Sequence, residues 1–448
     1  MSSPLASPLT LPCGVTLPNR LCKAAMTEGL ADPWLRATRR HDTLYRAWSE
    51  GGAGLLITGN VQIDRRVLER PGNVAIDTSD WDRVGPAGGL EALKRWAEAG
   101  TVGGNQLWMQ ISHAGRQSPR YVTGEPMGPS AVQLDLLGNY ARPRELREDE
   151  ILEFIGRFGR VAAIAREAGF TGVQVHGAHG YLISSFLSPV TNRRSDDWGG
   201  SLENRARFLI EAVRATRKAV GDDFPVGLKL NSDDFRTGGF SNTDCLQVVR
   251  WLNDEKLDLL EVSGGNYEQP RLLGYSGREG SAEDGPKRES TVKREAYFLD
   301  YADKIREVAT MPMMVTGGFR TRDGMEAALD GGHCDVIGLG RPLCTDTDFP
   351  QHLLAGETDE APRYERQVKL SNRKLFSGAS PIFLFKILNV LGQMGWYYNR
   401  LFELADGKPP RRDAGILGAF FSYLGDEYRS AFRMRKARKA LARGATPD

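Results

Sequence analysis

The sequence predicts an α/β chain folded as a (β/α)8 TIM barrel, with an N-terminal hairpin and a helical C-terminal extension. Three observations point there. Short apolar runs alternate with longer amphipathic stretches, the pattern of parallel βα units. Eight such runs lie between Leu21 and Leu339, room enough for the roughly 250 residues that a closed eightfold barrel needs. The first run is not followed by the G-x-G-x-x-G of a doubly wound nucleotide-binding sheet.

The elements follow in order. "LTLPCGVTLPNR" alternates around Cys13-Gly14 and reads as a hairpin able to close the bottom of the barrel. Strands are predicted at Leu21–Met26, Gly54–Thr58, Asn105–Ile111, Gly172–Val175, Val226–Leu230, Leu259–Val262, Met313–Thr316 and Val336–Leu339. Between them, "EILEFIGRFGRVAAIAREAG" places Ile151, Phe154, Ile155, Phe158, Val161 and Ala162 at helical spacing. "SLENRARFLIEAVRATRKAV" is a second helix, with Ser201 as its N-cap and Asn204 at N3. Two regions leave the repeat. Tyr267 to Lys293 is a long polar loop after strand six, a length that usually covers a site. Residues 351–448 form a mainly helical extension of unassigned role, so the barrel domain is expected to span 1–350.

Composition narrows the function classes. Hydrophobic residues at 40% and charged residues at 26% suit a globular protein. A net charge of +2 gives no reason to expect nucleic acid as partner. The five cysteines (13, 22, 245, 334 and 344) contain no C-x-x-C pair, which argues against a zinc ribbon or an iron–sulfur cluster. The N-terminus lacks a signal pattern, and no apolar stretch reaches ~18 residues. A cytoplasmic location is the expectation.

Polar residues collect where a barrel does its chemistry, at the C-terminal ends of strands. Strand one leads to Met26-Thr27, strand three carries Gln110 before "SHAGRQ", strand four ends in "HGAHGY", and strand five carries Lys229. Strands seven and eight end in "TGGFR" and "GLGRP". Glycine turns after strands seven and eight are the usual phosphate site of this fold. Gly317, Gly318 and Gly340, with the forked cation of Arg341, therefore predict a phosphorylated cofactor. His176 and His179 are two of only six histidines in the chain, and they flank glycines that give packing little reason to choose imidazole.

These residues bring a family into view. "HGAHGYLISSFLSPVTNRRSDDWGGSLENRARF" closely resembles the signature of the old yellow enzyme family of FMN-dependent ene-reductases. "PNRLCKAAMT", "QISHAGR", "GLKLN" and "IGLGRPL" support the match. The resemblance covers most of Leu9 to about Pro350 and leaves the extension unmatched. It implies an oxidoreductase with FMN at the C-terminal mouth, using NADPH or NADH as reductant in ping-pong kinetics, with NADPH favoured on family precedent alone, since no residue here reads the 2′-phosphate. The small-molecule substrate would be an α,β-unsaturated carbonyl or nitro compound.

The resemblance also assigns residues. His176 and His179 would bind the substrate carbonyl oxygen, where donors stabilise the charge built by hydride transfer. Tyr181 would protonate the α-carbon, unless solvent does so. Lys229 would stand beside flavin N1 and C2=O, and Gln110 against the pyrimidine edge; Gln106, four residues earlier, is the competing position. Thr27 would hydrogen-bond flavin O4, Ala25 and Met26 would reach the ring through backbone atoms, and Asn60 aligns with a flavin-contacting position. His113 and Arg116 could line the mouth or hold the strand-three loop.

Other readings remain open at this level. Relatives of the same family oxidise amines or NADH, and several of those carry a cysteine cluster and a second dinucleotide domain. In a different class, histidines at i and i+3 could chelate a metal in a barrel hydrolase, although no carboxylate follows at a useful spacing. The run Arg429–Arg443 holds seven basic residues and no acid. It is a solvated helix, or a weak contact with a membrane surface or protein partner. Trp396, Tyr397 and Tyr398 are expected to pack on the barrel or on a neighbouring subunit; monomer and homo-oligomer are both open.

Overall fold

A computed structural model describes residues 3–77, 86–265, 299–371, 373–378 and 380–444. The long loop expected at 267–293 lies outside the described residues.

Eight parallel strands close into a barrel: β1 Leu21–Lys23, β2 Leu55–Ile57, β3 Gln106–Ser112, β4 Gly172–Gly177, β5 Val226–Asn231, β6 Leu259–Ser263, β7 Met313–Thr316 and β8 Val336–Leu339. Each pairs with the next, and β8 returns to β1 through Ile337 opposite Leu21. The period-2 geometry of a strand sends alternate residues inward and outward. Val173, Val175, Leu228, Leu230, Leu260 and Val262 pack in the main core with residues of the surrounding helices, such as Phe154, Phe158 and Phe208. Cys22, Leu55, Ile57, Trp108, Leu259, Met314 and Val336 fill the lower interior.

The lower interior explains two glycines. A Cβ on Gly172 would stand 2.4 Å from the Trp108 ring, and one on Gly227 2.9 Å from it. The indole therefore occupies the space that two bare backbones leave. Leu11 and Leu17 join this same cluster from the antiparallel hairpin Leu9–Thr10 and Thr16–Leu17. The Cys13 N–H is tied to Asp258 Oδ1 at 2.8 Å. The hairpin closes the bottom of the barrel, as its sequence suggests.

Boundaries differ modestly from the sequence reading. The first strand stops at Lys23, not Met26, so Ala25 to Thr27 belong to the loop above it. One further short strand, Val61–Gln62, pairs with Ile111 and Ser112. Helices run over Glu148–Glu167 and Leu202–Val220, and in the second Ser201 Oγ accepts the N–H of Asn204.

Beyond the barrel, helices Phe383–Ala405 and Ile416–Ala442 pack on one another and back against the barrel loops. Arg70 forms a buried ion pair with Glu427 of the last helix and stacks over Tyr398 at 4.0 Å. Trp396 is buried against Tyr364, and Tyr398 stacks on Tyr423. The basic run is not a uniformly solvated face: Arg435 donates to the Tyr121 carbonyl at 2.9 Å, and Arg438 donates to the carbonyls of Val122 and Arg65. Among the described residues, no helix is long and apolar enough to cross a membrane.

Candidate active site

Barrel register sets the floor of the mouth. Above the apolar layer, the next inward positions on β3 to β6 are Gln110, Gln174, Lys229 and Glu261, all buried. They form one continuous polar chain. Gln110 Nε2 donates to Gln174 Oε1 at 2.7 Å, and Gln174 Nε2 donates to Glu261 Oε2 at 2.8 Å. Lys229 Nζ donates to Glu261 Oε1 at 2.8 Å. Gln110 is thus the mouth residue, whereas Gln106 begins the strand at its opposite end. Sequence reasoning missed Gln174 and Glu261. The signal was available: both are strongly polar residues inside otherwise apolar strand runs, where burial demands a partner.

The histidine pair stands at the end of β4. The His176 ring centroid lies 5.2 Å from that of His179 and 4.9 Å from that of Tyr181, with both neighbours nearly edge-on to it. His176 Nδ1 accepts the N–H of Ala178 at 3.2 Å, so its proton sits on Nε2. His179 has φ of 63°, a left-handed conformation that costs a non-glycine residue about 1–3 kcal/mol. Both sides of its peptide are held: its N–H donates to Asn231 Oδ1 at 3.1 Å, and its carbonyl accepts from Gln117 Nε2 at 2.9 Å. Its ring Nε2 lies 2.7 Å from Ser263 Oγ. Burial, followed by the charge of Lys229, pulls both imidazoles well below their usual range. Both are neutral at pH 7. Tyr181 caps the short helix Leu182–Leu187 and is itself buried.

Thr27 and Asn60 converge from the loops after β1 and β2. Thr27 Oγ1 donates to Asn60 Oδ1 at 3.1 Å, and Asn73 Nδ2 donates to the same oxygen at 3.1 Å. The Met26 sulfur lies 3.6 Å from Cys344 Sγ, in the turn after β8.

At the far side, Gly317 and Gly318 hold φ of 129° and 89°, backbone only glycine adopts freely. Gly340 caps the single turn Arg341–Cys344. The extension reaches this corner: Glu365 accepts from Arg320 at 2.9 Å and from Tyr397 at 2.9 Å. Arg320 and Arg341 help hold its carboxyl below the usual range, against the effect of its burial. Glu365 and Tyr397 lie outside the matched family motifs, and nothing in their local sequence marks them.

Other candidates fall elsewhere. His113 is buried 3.8 Å from Asp64, which Arg157 also approaches, and its Nδ1 accepts the Gly115 N–H, which holds the strand-three loop. Among the described residues, no group of three or more His, Cys, Asp or Glu side chains is placed to hold a metal ion. The pair His176–His179 therefore has no third ligand of these types there.

The site's chemistry fits a flavin. Its pyrimidine edge offers an N–H between two carbonyls, and the floor offers a lysine donor and a glutamine amide. Thr316 Oγ1, at the top of β7, is buried with no partner of its own. Open glycine backbone beside Arg341 suits a phosphate.

Comparison with known proteins agrees with this geometry. The NADH:flavin oxidoreductase / NADH oxidase family matches residues 4–360. The NADH-dependent flavin oxidoreductase iccE of Talaromyces variabilis is 35% identical over 426 residues, covering 90% of this chain and 98% of that protein. The NADH-dependent flavin oxidoreductase iliE of Neonectria sp. (strain DH2) is 37% identical over 371 residues, 79% of this chain. There the chain spans only 47% of the relative's length. An old yellow enzyme homologue from Zymomonas mobilis superposes with a TM-score of 0.65 at 26% identity, over 82% of this chain and 97% of that one.

Proposed function

Because the chain belongs to the NADH:flavin oxidoreductase / NADH oxidase family, the old yellow enzymes, we propose that it reduces the activated C=C bond of α,β-unsaturated carbonyl or nitro compounds, with NADH as the working reductant. NADH takes precedence over NADPH on the names of the relatives above. The observation that carries this reading is the pair of neutral imidazoles at the rim of the polar floor, one of them held in a strained backbone conformation.

FMN held at this mouth would supply the hydride chemistry that links reduced nicotinamide to the alkene. The protein's residues do the rest. His176 offers Nε2–H to the substrate oxygen. In the tautomer in which the Ser263 hydroxyl donates into His179 Nε2, one of the two that this contact admits, Nδ1–H is the second donor. Donors placed where charge develops typically lower such barriers by ~2.7–4 kcal/mol each. Tyr181, edge-on to His176, supplies the proton to the α-carbon. Gln110 and Lys229 would hold the pyrimidine edge, Thr27, with Asn60 behind it, the O4 side, and the backbone of Ala25 and Met26 the ring flank. Gly317, Gly318, Gly340 and Arg341 would hold the phosphate.

The test is an anaerobic absorbance titration of the purified, FMN-reconstituted protein. NADH should bleach the flavin bands, and cyclohexenone should restore them. Bleaching without recovery on a panel of enones and nitroalkenes would sink the ene-reductase reading and favour an oxidase.

A further inference from the structure

We infer that Glu261 is the positioning residue of the flavin floor: a single carboxylate that sets the effective charge of Lys229 and the orientation of the Gln110 amide. This rests on the reading that FMN lies on that floor.

The argument starts from what a carboxylate can do. Paired with an ammonium, Glu261 has acceptors only. Its side chain is fully buried, one oxygen on Lys229 and the other on Gln174, each at 2.8 Å. Gln174 must therefore turn its NH2 toward Glu261 and its oxygen toward Gln110. Gln110 must in turn give its NH2 to that oxygen, at 2.7 Å. Gln110 is thereby turned with Oε1, an acceptor, on the side away from Gln174, beside its second N–H. A glutamine amide has nearly the same shape either way round, so Gln110 cannot choose its own direction. The charge two residues along the chain chooses for it, and an acceptor is what the flavin N–H requires.

The same carboxylate tempers Lys229. A lone buried cation would favour added negative charge on a nearby ring strongly. With a carboxylate 2.8 Å away, the ring meets an ion pair whose field falls off faster. Lys229 is thereby an orienting donor with its electrostatic pull reduced. Glu261 would lower the flavin potential that Lys229 alone would raise.

The experiment uses the full chain loaded with FMN. Glu261→Gln keeps the shape and removes the charge. Its two-electron midpoint potential, measured by dye equilibration, should rise by about 30 mV, a tenfold change in the ratio of affinities for reduced and oxidised FMN. Gln174→Leu leaves the ion pair and cuts the relay. It should weaken FMN binding by about tenfold, the worth of one hydrogen bond, and leave the potential in place. A folded, FMN-loaded Glu261→Gln protein with the wild-type potential overturns the charge argument. A Gln174→Leu protein with wild-type FMN affinity overturns the relay, and this arm stands if the first variant does not fold. A wild-type chain that cannot be reconstituted with FMN refutes the underlying reading, an outcome distinct from either.

Discussion

Ser263 Oγ lies 2.7 Å from His179 Nε2, and this contact decides which nitrogen of the second histidine can serve a substrate. Removing the hydroxyl frees the ring to rotate and to change tautomer. Ser263→Ala should lower kcat/KM for an enone by about tenfold, the scale of one such bond, while Ser263→Thr should restore most of it. Stopped-flow reoxidation at several enone concentrations reads the effect. Equal rates in all three proteins would remove Ser263 from the site.

His176 should matter more. With Nδ1 committed to the Ala178 N–H, its Nε2–H is the fixed donor of the pair. His176→Ala should slow reoxidation by an enone about 10²–10³-fold, and change reduction by NADH far less. Pre-steady-state kinetics of the two half-reactions separate these outcomes; an equal loss in both would indicate a collapsed pocket.

The extension should be energetically part of the barrel. Glu427 forms a buried pair with Arg70 and also accepts from Tyr121 at 3.1 Å. Glu427→Ala strands a buried guanidinium, which costs about 3–5 kcal/mol. Thermal unfolding should shift down sharply, and limited proteolysis should cut between barrel and extension. An unchanged melting curve would show that the last helix is only loosely applied.

Acid stability follows from a buried histidine. His41 is buried against Trp96 and accepts the Thr38 N–H, and burial lowers its pKa to about 3. The unfolded chain binds this proton near pH 6.5 and the folded chain does not. The contribution is therefore complete above about pH 6.5 and is lost as pH falls toward 3, by at most about 1.4 kcal/mol per pH unit. His176 and His179 act in the same direction. Urea midpoints from pH 8 to 4 should show His41→Gln with the shallower slope; parallel curves would contradict it.

Much of this was legible in one dimension. Strand periodicity located all eight barrel strands, and two of them, Met313–Thr316 and Val336–Leu339, fall at their predicted limits. The barrel rule then placed His176, Gln110, Lys229 and the glycine turns at the mouth before any contact was visible. Helix capping by Ser201 was readable because the bond spans three residues. Local chemistry leaves local marks.

What the sequence by itself determined is the barrel, its closing hairpin, and the identity of the residues offered at the mouth. Each of these depends on alternation or on turns spanning a few positions. Only the tertiary structure decided how those residues are paired. Gln110, Gln174, Lys229 and Glu261 sit on four strands as much as 151 residues apart, and the hydrogen bonds linking them exist only once the closed barrel brings their side chains together. The extension tells the same story: Arg435 and Arg438 read as solvent-facing charge until Tyr121, Val122 and Arg65 present their carbonyls. A side chain's hydrogen-bonding partner is a property of the folded neighbourhood, because burial, not sequence distance, forces polar groups to find one another.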